Sequence, residues 1–176
     1  MVGIKLAAFG VVVAAFAGTA GAADTSGKVG FLDSNEGTCI AREYDAAHMK
    51  AHPKQKVTGI ALTYAPAAEE DKAAGTISAL LVVTLKDSKT KLFADAYCKA
   101  GKGTDVDCII DEDGGSFTLT KSAEGPVLNN TNRIMVMPNL DTYEAMLEAR
   151  VTIDPKDDQA SFLLSSTKSE LCKGAD

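Results

Sequence analysis

Residues 76–98 read TISALLVVTLKDSKTKLFADAYC, and this stretch decides the fold class. Apolar side chains recur at every second position over Thr76–Lys86, which predicts a strand with one face in a hydrophobic core. Leu80 and Val82 lie on the opposite face, so we expect that face to be partly covered as well. A turn leads into a second predicted strand over Lys91–Cys98, and the stretch therefore predicts a β-hairpin.

Short apolar runs separated by turn residues continue on both sides of this hairpin. Late in the chain, Asp141 and Glu144 predict the capping box of a short helix over Tyr143–Arg150. About eight to nine strands at hairpin spacing are typical of a mainly all-β domain, either an antiparallel barrel or a β-sandwich, here with one or two short helices. Closure removes exposed strand edges and favours the barrel. The further predicted strands are Gly37–Tyr44, Val57–Tyr64, Val106–Asp111, Ser116–Lys121, Pro126–Asn129 and Asn132–Met137, followed by a final hairpin containing Val151, Ile153, Phe162 and Leu164.

Residues 1–22 have the three parts of a secretory signal peptide. Lys5 precedes an apolar run, and small residues follow, with Ala20 and Ala22 at the −3 and −1 positions of a cleavage site before Ala23. A cut one residue later is the alternative. An uncleaved anchor is disfavoured because the apolar run is shorter than the roughly 20 residues that span a bilayer.

The leader determines what we expect of the rest of the chain. Residues 23–176 are predicted to form a single disulfide-bonded β domain in the periplasm or outside the cell. No second apolar run of spanning length follows, so we expect no membrane span after cleavage. About 150 residues suffice for one hydrophobic core.

The charge balance excludes one class of partner. The chain carries 18 Lys and Arg against 24 Asp and Glu, a net charge of −6, and removal of the leader with Lys5 leaves 17 against 24, a net charge of −7. Such a surface repels phosphate backbones and no basic cluster offsets it, so we expect no nucleic-acid partner. The sequence does not indicate an oligomeric state.

Four cysteines follow the leader: Cys39, Cys98, Cys108 and Cys172. An even number in an exported chain is typical of a disulfide framework, and four cysteines permit three pairings. Cys98 and Cys108 flank a short connection between two predicted strands, which favours a bridge across the base of that hairpin. The other bridge, Cys39–Cys172, then ties the first strand to the C-terminal tail. A redox dithiol or a zinc site is disfavoured because the chain has no CxxC and no zinc spacing.

The two histidines of the chain are four residues apart. On a helix such residues share a face, so His48 and His52 can reach one divalent metal ion, with Glu43 or Asp45 as oxygen ligands. Asp45 is also a candidate N-cap of that helix, and Pro53 bars its extension. The alternative is a short surface helix in which one histidine caps the helix or hydrogen-bonds the backbone. The pattern lacks the glutamate of HExxH, which disfavours a zinc hydrolase.

Four short patterns are spread over most of the mature chain: Tyr44-Asp45-x-x-His48, His52-Pro53-x-Gln55-x-Val57, Cys98 with Cys108, and Asp113-Gly114-Gly115-x-Phe117-x-Leu119. Together they resemble a group of small exported bacterial proteins of unassigned function. The resemblance implies a periplasmic β-domain and no known activity. The nearest architecture is a lipocalin-like, or calycin-like, barrel. The chain has no tryptophan and so lacks the Gly-x-Trp signature of lipocalins.

Catalytic motifs are absent from the sequence. There is no GxSxG, and the two histidines restrict any nucleophilic triad. The acidic run Asp111-Glu112-Asp113 does not follow the alternating pattern of a calcium loop, and we interpret it as a hairpin tip. An enzyme is therefore disfavoured.

We predict a non-enzymatic binding module for a small ligand or for a protein partner, as an inhibitor would be, without a cofactor. The alternative is a periplasmic metal-binding protein that uses the two histidines. A filled core would favour a protein partner. A small apolar ligand would be favoured by a cavity lined by Ile77, Leu81, Phe117 and Phe162.

Overall fold

The computed structural model describes residues 28–29, 32–33, 38–65, 74–111, 113–166 and 169–173, and the predicted leader lies outside them. No helix in this part of the chain is long and apolar enough to cross a membrane. The strands are β1 (Lys28–Val29), β2 (Leu32–Asp33), β3 (Cys39–Glu43), β4 (Val57–Ala65), β5 (Thr76–Leu85), β6 (Ser88–Ala100), β7 (Val106–Ile110), β8 (Gly115–Lys121), β9 (Pro126–Pro138), β10 (Val151–Ile153), β11 (Ser161–Leu163) and β12 (Ser165–Ser166). The α-helices are α1 (Ala46–Ala51) and α2 (Tyr143–Glu148), and 3-10 turns span Asp157–Gln159 and Glu170–Lys173.

The strands form a closed antiparallel barrel, which confirms the predicted fold class and decides against the sandwich. Strands β3 to β9 pair in sequence order. β11 pairs with β9, and β12, which follows after Leu164, pairs with β3, so the wall closes. β9 also pairs with β6 through Phe93 and Met137. β10 adds to β9, whereas β1 and β2 pair with each other.

Strand β9 is longer than the sequence suggests. Two short strands are predicted there, Pro126–Asn129 and Asn132–Met137, but the structure has one strand of 13 residues. The intervening polar residues do not form a turn because Asn130 is buried, and its side-chain amide donates to the carbonyl of Ile153 at 2.8 Å.

Helix α2 lies where it is predicted, but its cap is different. The hydroxyl of Thr142, and not the carboxylate of Asp141, accepts the backbone N–H of Ala145 at 3.2 Å. The predicted capping box is therefore wrong by one residue. Both residue types are good N-caps, and the extended backbone of Thr142 puts its hydroxyl in reach.

The barrel interior is packed with side chains from alternate positions of the wall strands. On β5, Ile77, Ala79, Leu81 and Val83 face inward, as the period-two pattern predicts. Every residue of the predicted cavity lining belongs to this core and is at most 6% exposed. The residues concerned are Ile77, Leu81, Phe117 and Phe162.

A second, smaller cluster covers the outside of β3, β4 and β5. Val82 is fully buried there against Leu171 of the C-terminal 3-10 turn, with Ala41 and Ala61 beside it. A Cβ on Gly59 would lie 2.7 Å from Leu171 Cδ1, so a glycine allows this close approach. The predicted partial covering of the second face of β5 is thus present.

The structure contains two disulfides. Cys98 and Cys108 are direct register partners on β6 and β7, inside the barrel. Cys39–Cys172 links β3 to the C-terminal turn across 133 residues of sequence. In the chain-entropy model the disulfide that closes the short loop stabilises the folded state by on the order of 3 kcal/mol, and the one that closes the long loop by roughly 4–5 kcal/mol. Disulfides of this kind are typical of an oxidising, extracellular-type compartment.

Candidate functional site

An open groove of about 760 Å³ lies beside helix α1, and we call it the histidine groove. Its wall is formed by the end of β3, by α1, by the β8–β9 turn and by the segment that leads into β11. The charged and aromatic side chains that line it are Arg42, Tyr44, His48, His52, Glu124 and Asp158.

Helix α1 holds the two histidines one turn apart. The Oδ1 atom of Asp45 accepts the backbone N–H of His48 at 2.7 Å, so Asp45 is the predicted N-cap. The ring of His48 stacks between the rings of Tyr44 and His52, with centroid distances of 4.4 and 4.3 Å. The guanidinium of Arg42 lies 5.6 Å from the centroid of the Tyr44 ring. The four stacked side chains, Arg42, Tyr44, His48 and His52, form what we call the aromatic ladder.

Both histidines of the aromatic ladder already have polar partners. The Nε2 atom of His48 lies 3.1 Å from Oε1 of Gln55, whose side-chain amide donates to the carbonyl of Val57 at 2.7 Å. Gln55 is 3% exposed, and its oxygen accepts, so His48 donates from Nε2. Nδ1 of His52 lies 3.5 Å from a carboxylate oxygen of Asp158. The ladder therefore joins α1 to β3, to β4 and to the segment before β11.

The structure brings His48 and His52 together but commits the two predicted oxygen ligands elsewhere. The carboxylate of Glu43 accepts a hydrogen bond from the hydroxyl of Ser169. The carboxylate of Asp45 caps α1. In the described part of the chain, no group of three or more His, Cys, Asp or Glu side chains is arranged to hold a metal ion.

Two tyrosines have raised pKa values: Tyr44, which is half-buried in the aromatic ladder, and Tyr64, which is buried in the barrel. Burial raises the pKa of Tyr44, and the neighbouring charge of Arg42 opposes that rise. Burial also raises the pKa of Tyr64 inside the barrel, and its hydroxyl has no hydrogen-bond partner among the described residues. Both phenols stay protonated at neutral pH, and neither is available as a base.

A second groove, of about 780 Å³, lies on the outside of the barrel between helix α2 and strands β5, β6, β7 and β9. We call it the methionine groove. Tyr143, which is 43% exposed, also lines it. Its other large apolar side chains are Leu80, Phe93, Ile110, Met135, Met137, Met146 and Leu147.

Strand alternation places two of the methionines in this groove. Ile134 and Val136 are fully buried in the barrel interior, so Met135 and Met137 between and after them face outward and are half-buried. Met137 pairs in register with Phe93 of β6, where β9 and β6 meet directly. The floor of the groove is therefore the outer face of the barrel wall.

Helix α2 forms the other side without packing tightly onto that floor. No residue of α2 is fully buried, although Met146 and Leu147 are partly covered. A short helix with an apolar face that is only partly covered leaves concave space beneath it. That space is the groove.

The turn between β7 and β8 contributes a charged rim. A guanidinium N–H of Arg133 donates to the carbonyl of Asp113 at 2.9 Å. Gly115 has φ of +97°, and a Cβ there would lie 2.0 Å from the carbonyl oxygen of Arg133, so only glycine permits this approach. Asp95, Asp111 and Arg150 complete the charged rim.

The arginines of the chain are not scattered over the surface. The sequence has three, Arg42, Arg133 and Arg150, and each lines one of the two grooves. None of the lysines in the described residues lines either groove. Arginine is less strongly hydrated than lysine and is favoured where a cation contacts a ligand or an aromatic ring.

The sequence predicted the histidine groove in part and did not predict the methionine groove as a site. The spacing predicted that His48 and His52 lie close together, and Asp45 was predicted as an N-cap. The structure places His48 on α1, with Asp45 as its N-cap and His52 as its C-cap. The signal for the other groove was the outward position of two methionines on β9. The outward position of these methionines indicates a groove only when α2 is known to lie beside β9.

No protein-family model, curated protein or solved structure matches this chain. The resemblance to small exported proteins with a lipocalin-like barrel therefore stays a prediction.

Proposed function

We propose that this chain is an exported, non-enzymatic binding protein and that it takes a small apolar ligand in the methionine groove, outside the barrel. The observation that carries the proposal is the concave apolar lining of this groove, in which Met135, Met137 and Leu147 are only partly buried. Its volume of about 780 Å³ lies within the range of small-molecule sites. Export to the periplasm or the medium accords with the two disulfides.

The barrel interior is the site that a lipocalin-like protein would use, and here it is packed. Phe117 and Phe162 are each 1% exposed and lie in the same core cluster as Leu81. Neither groove is lined by any of these three residues. A ligand would have to displace close-packed side chains to enter, which costs far more than entering an open groove.

The lining of the methionine groove suits an apolar body of variable shape. Methionine is unbranched and polarisable, so Met135, Met137 and Met146 can adjust to the ligand surface. Phe93 and Tyr143 add aromatic contact area. The charged rim, which includes Arg150, lies where a polar substituent on such a ligand would meet water.

Equilibrium binding of a neutral naphthylamine dye, followed by fluorescence, tests this proposal. Leu147→Asp puts a carboxylate into the apolar lining, and we expect it to weaken dye affinity by at least roughly tenfold. Ile109→Asp is the matched control, because Ile109 is 59% exposed and lies outside both grooves. Equal affinities for the two variants, or no dye binding by the wild type, would contradict the proposal. A protein co-purifying at stoichiometric amounts in native mass spectrometry would instead indicate a protein partner.

Metal binding by His48 and His52 is the second candidate, because their rings lie 4.3 Å apart in an open groove. A metal would have to replace the contacts to Gln55 and Asp158. Elemental analysis of the purified protein tests it: stoichiometric metal that is lost in His48→Ala supports the candidate. Substoichiometric metal, unchanged in that variant, rejects it.

A further inference from the structure

We infer that the methionine groove also holds a monovalent soft cation, Cu(I), through the thioether sulfurs of Met135, Met137 and Met146. The chain has five methionines, and of the four that follow the leader only Met49 lies outside the groove. The inference depends on the same groove as the proposed function but not on the proposed apolar ligand.

All three methionines line the same groove. Met135 and Met137 are alternate residues of β9 on one face, so their Cα atoms are roughly 7 Å apart. Met146 lies on α2, whose Cα atoms approach those of β9 within 8 Å. Rotation about χ1 and χ2 moves each sulfur within the groove, so the flexible thioethers can turn toward one ion.

The chemistry of the donors selects the ion. Thioethers are soft, neutral ligands that favour Cu(I) over zinc, magnesium or calcium. They need no deprotonation, so binding does not depend on a titrating ligand. Both disulfides are formed and no free cysteine occurs among the described residues, so no thiolate competes for the ion.

The surroundings of the groove accept a single positive charge. Three carboxylates, Asp95, Asp111 and Asp113, line it against two guanidiniums, Arg133 and Arg150, a balance of −1. The Arg133 guanidinium is held at the rim by the Asp113 carbonyl. Leu80, Phe93 and Leu147 also line the groove, and apolar neighbours of this kind reduce solvent access to a metal site.

Anaerobic competition against a chromophoric Cu(I) chelator tests the inference. We expect one Cu(I) per chain, and we expect the triple variant Met135→Leu/Met137→Leu/Met146→Leu to lose at least roughly tenfold in Cu(I) affinity, since even the loss of a supporting residue costs that much at metal sites. Met49→Leu is the matched control and keeps wild-type affinity. His48→Ala/His52→Ala also keeps it, because the histidines lie in the other groove.

Three results would overturn the inference: no competition by the wild type, an unchanged triple variant, or a loss confined to the histidine variant. Dye binding separates this inference from the proposed function. Dye binding and Cu(I) binding are each measured on the wild type: Cu(I) competition without dye binding contradicts the proposed function alone, and dye binding without Cu(I) competition contradicts this inference alone. A wild-type midpoint of urea unfolding shows that the triple variant is folded.

Discussion

The two grooves of this barrel have nearly the same volume but opposite internal chemistry. In the histidine groove the polar side chains are engaged with one another, through the aromatic ladder and its contacts to Gln55 and Asp158. In the methionine groove the apolar lining is only half-covered. Side chains that satisfy each other hold a structure together, whereas a lining that is left uncovered is available to a ligand.

The comparison predicts that substitutions in the histidine groove change stability and that substitutions in the methionine groove change binding. The two histidines, which stand out in the sequence, lie in the histidine groove and are expected to affect stability. The methionines and leucines of the methionine groove, which do not stand out in the sequence, are expected to affect binding. The predictions below test this division, from the largest expected effect on stability to the smallest.

Gln55→Ala tests whether the histidine groove is structural. It removes the acceptor of His48 and a donor to Val57, in a side chain that is 3% exposed. We expect the free energy of unfolding to fall by about 1–3 kcal/mol in urea denaturation, because buried polar groups lose their partners. Asn139→Ala is the control, since it removes an exposed amide in the methionine groove and should change stability by less than about 0.5 kcal/mol. If the two variants lose equal free energies of unfolding, the histidine groove is no more structural than the methionine groove.

Tyr44→Phe tests the burial of the aromatic ladder through pH. Burial raises the pKa of Tyr44 in the folded state above its usual value of 10.0. The contribution of this residue to stability is therefore complete below pH 10 and is lost as the pH rises through the pKa of the folded state. We expect stability to fall above pH 10 with a slope of up to about 1.4 kcal/mol per pH unit from this residue. Tyr44→Phe should flatten that slope, and Tyr143→Phe in the methionine groove is the control. An unchanged slope in Tyr44→Phe would mean that the phenol is not held protonated by the fold.

Met137→Leu has the smallest expected effect on stability. The side chain faces outward from β9 and is half-buried, and leucine has a similar volume. We expect the free energy of unfolding, measured by urea denaturation, to change by less than about 1 kcal/mol. A larger loss of stability would show that the methionine groove is part of the packed core and not an open site.

Much of the fold was predictable because it depends on local patterns. The period-two run in residues 76–98 forms β5 and most of β6 in register, with Ile77 opposite Cys98. Asp45 capped α1 as expected, because an N-cap depends only on residues within one turn. Asn130, in a polar stretch typical of a turn, lies instead inside one long strand. Its partner, the carbonyl of Ile153, comes from a distant part of the chain.

The candidate sites were harder to predict because they depend on contacts between distant parts of the chain. The spacing of His48 and His52 is local, so their proximity was predictable, but their stacking depends on Tyr44 and their hydrogen bonding on Gln55. The methionine groove depends on how α2 lies against β6 and β9, which no local pattern specifies.

The most direct test of the account is a nuclear magnetic resonance titration of protein labelled at its methionine methyl groups with the neutral dye. The account predicts that the methyl signals of Met135, Met137 and Met146 shift as the dye binds, while Met49 on α1 does not. Dye binding that leaves these three signals in place, or that shifts Met49 alone, would contradict it.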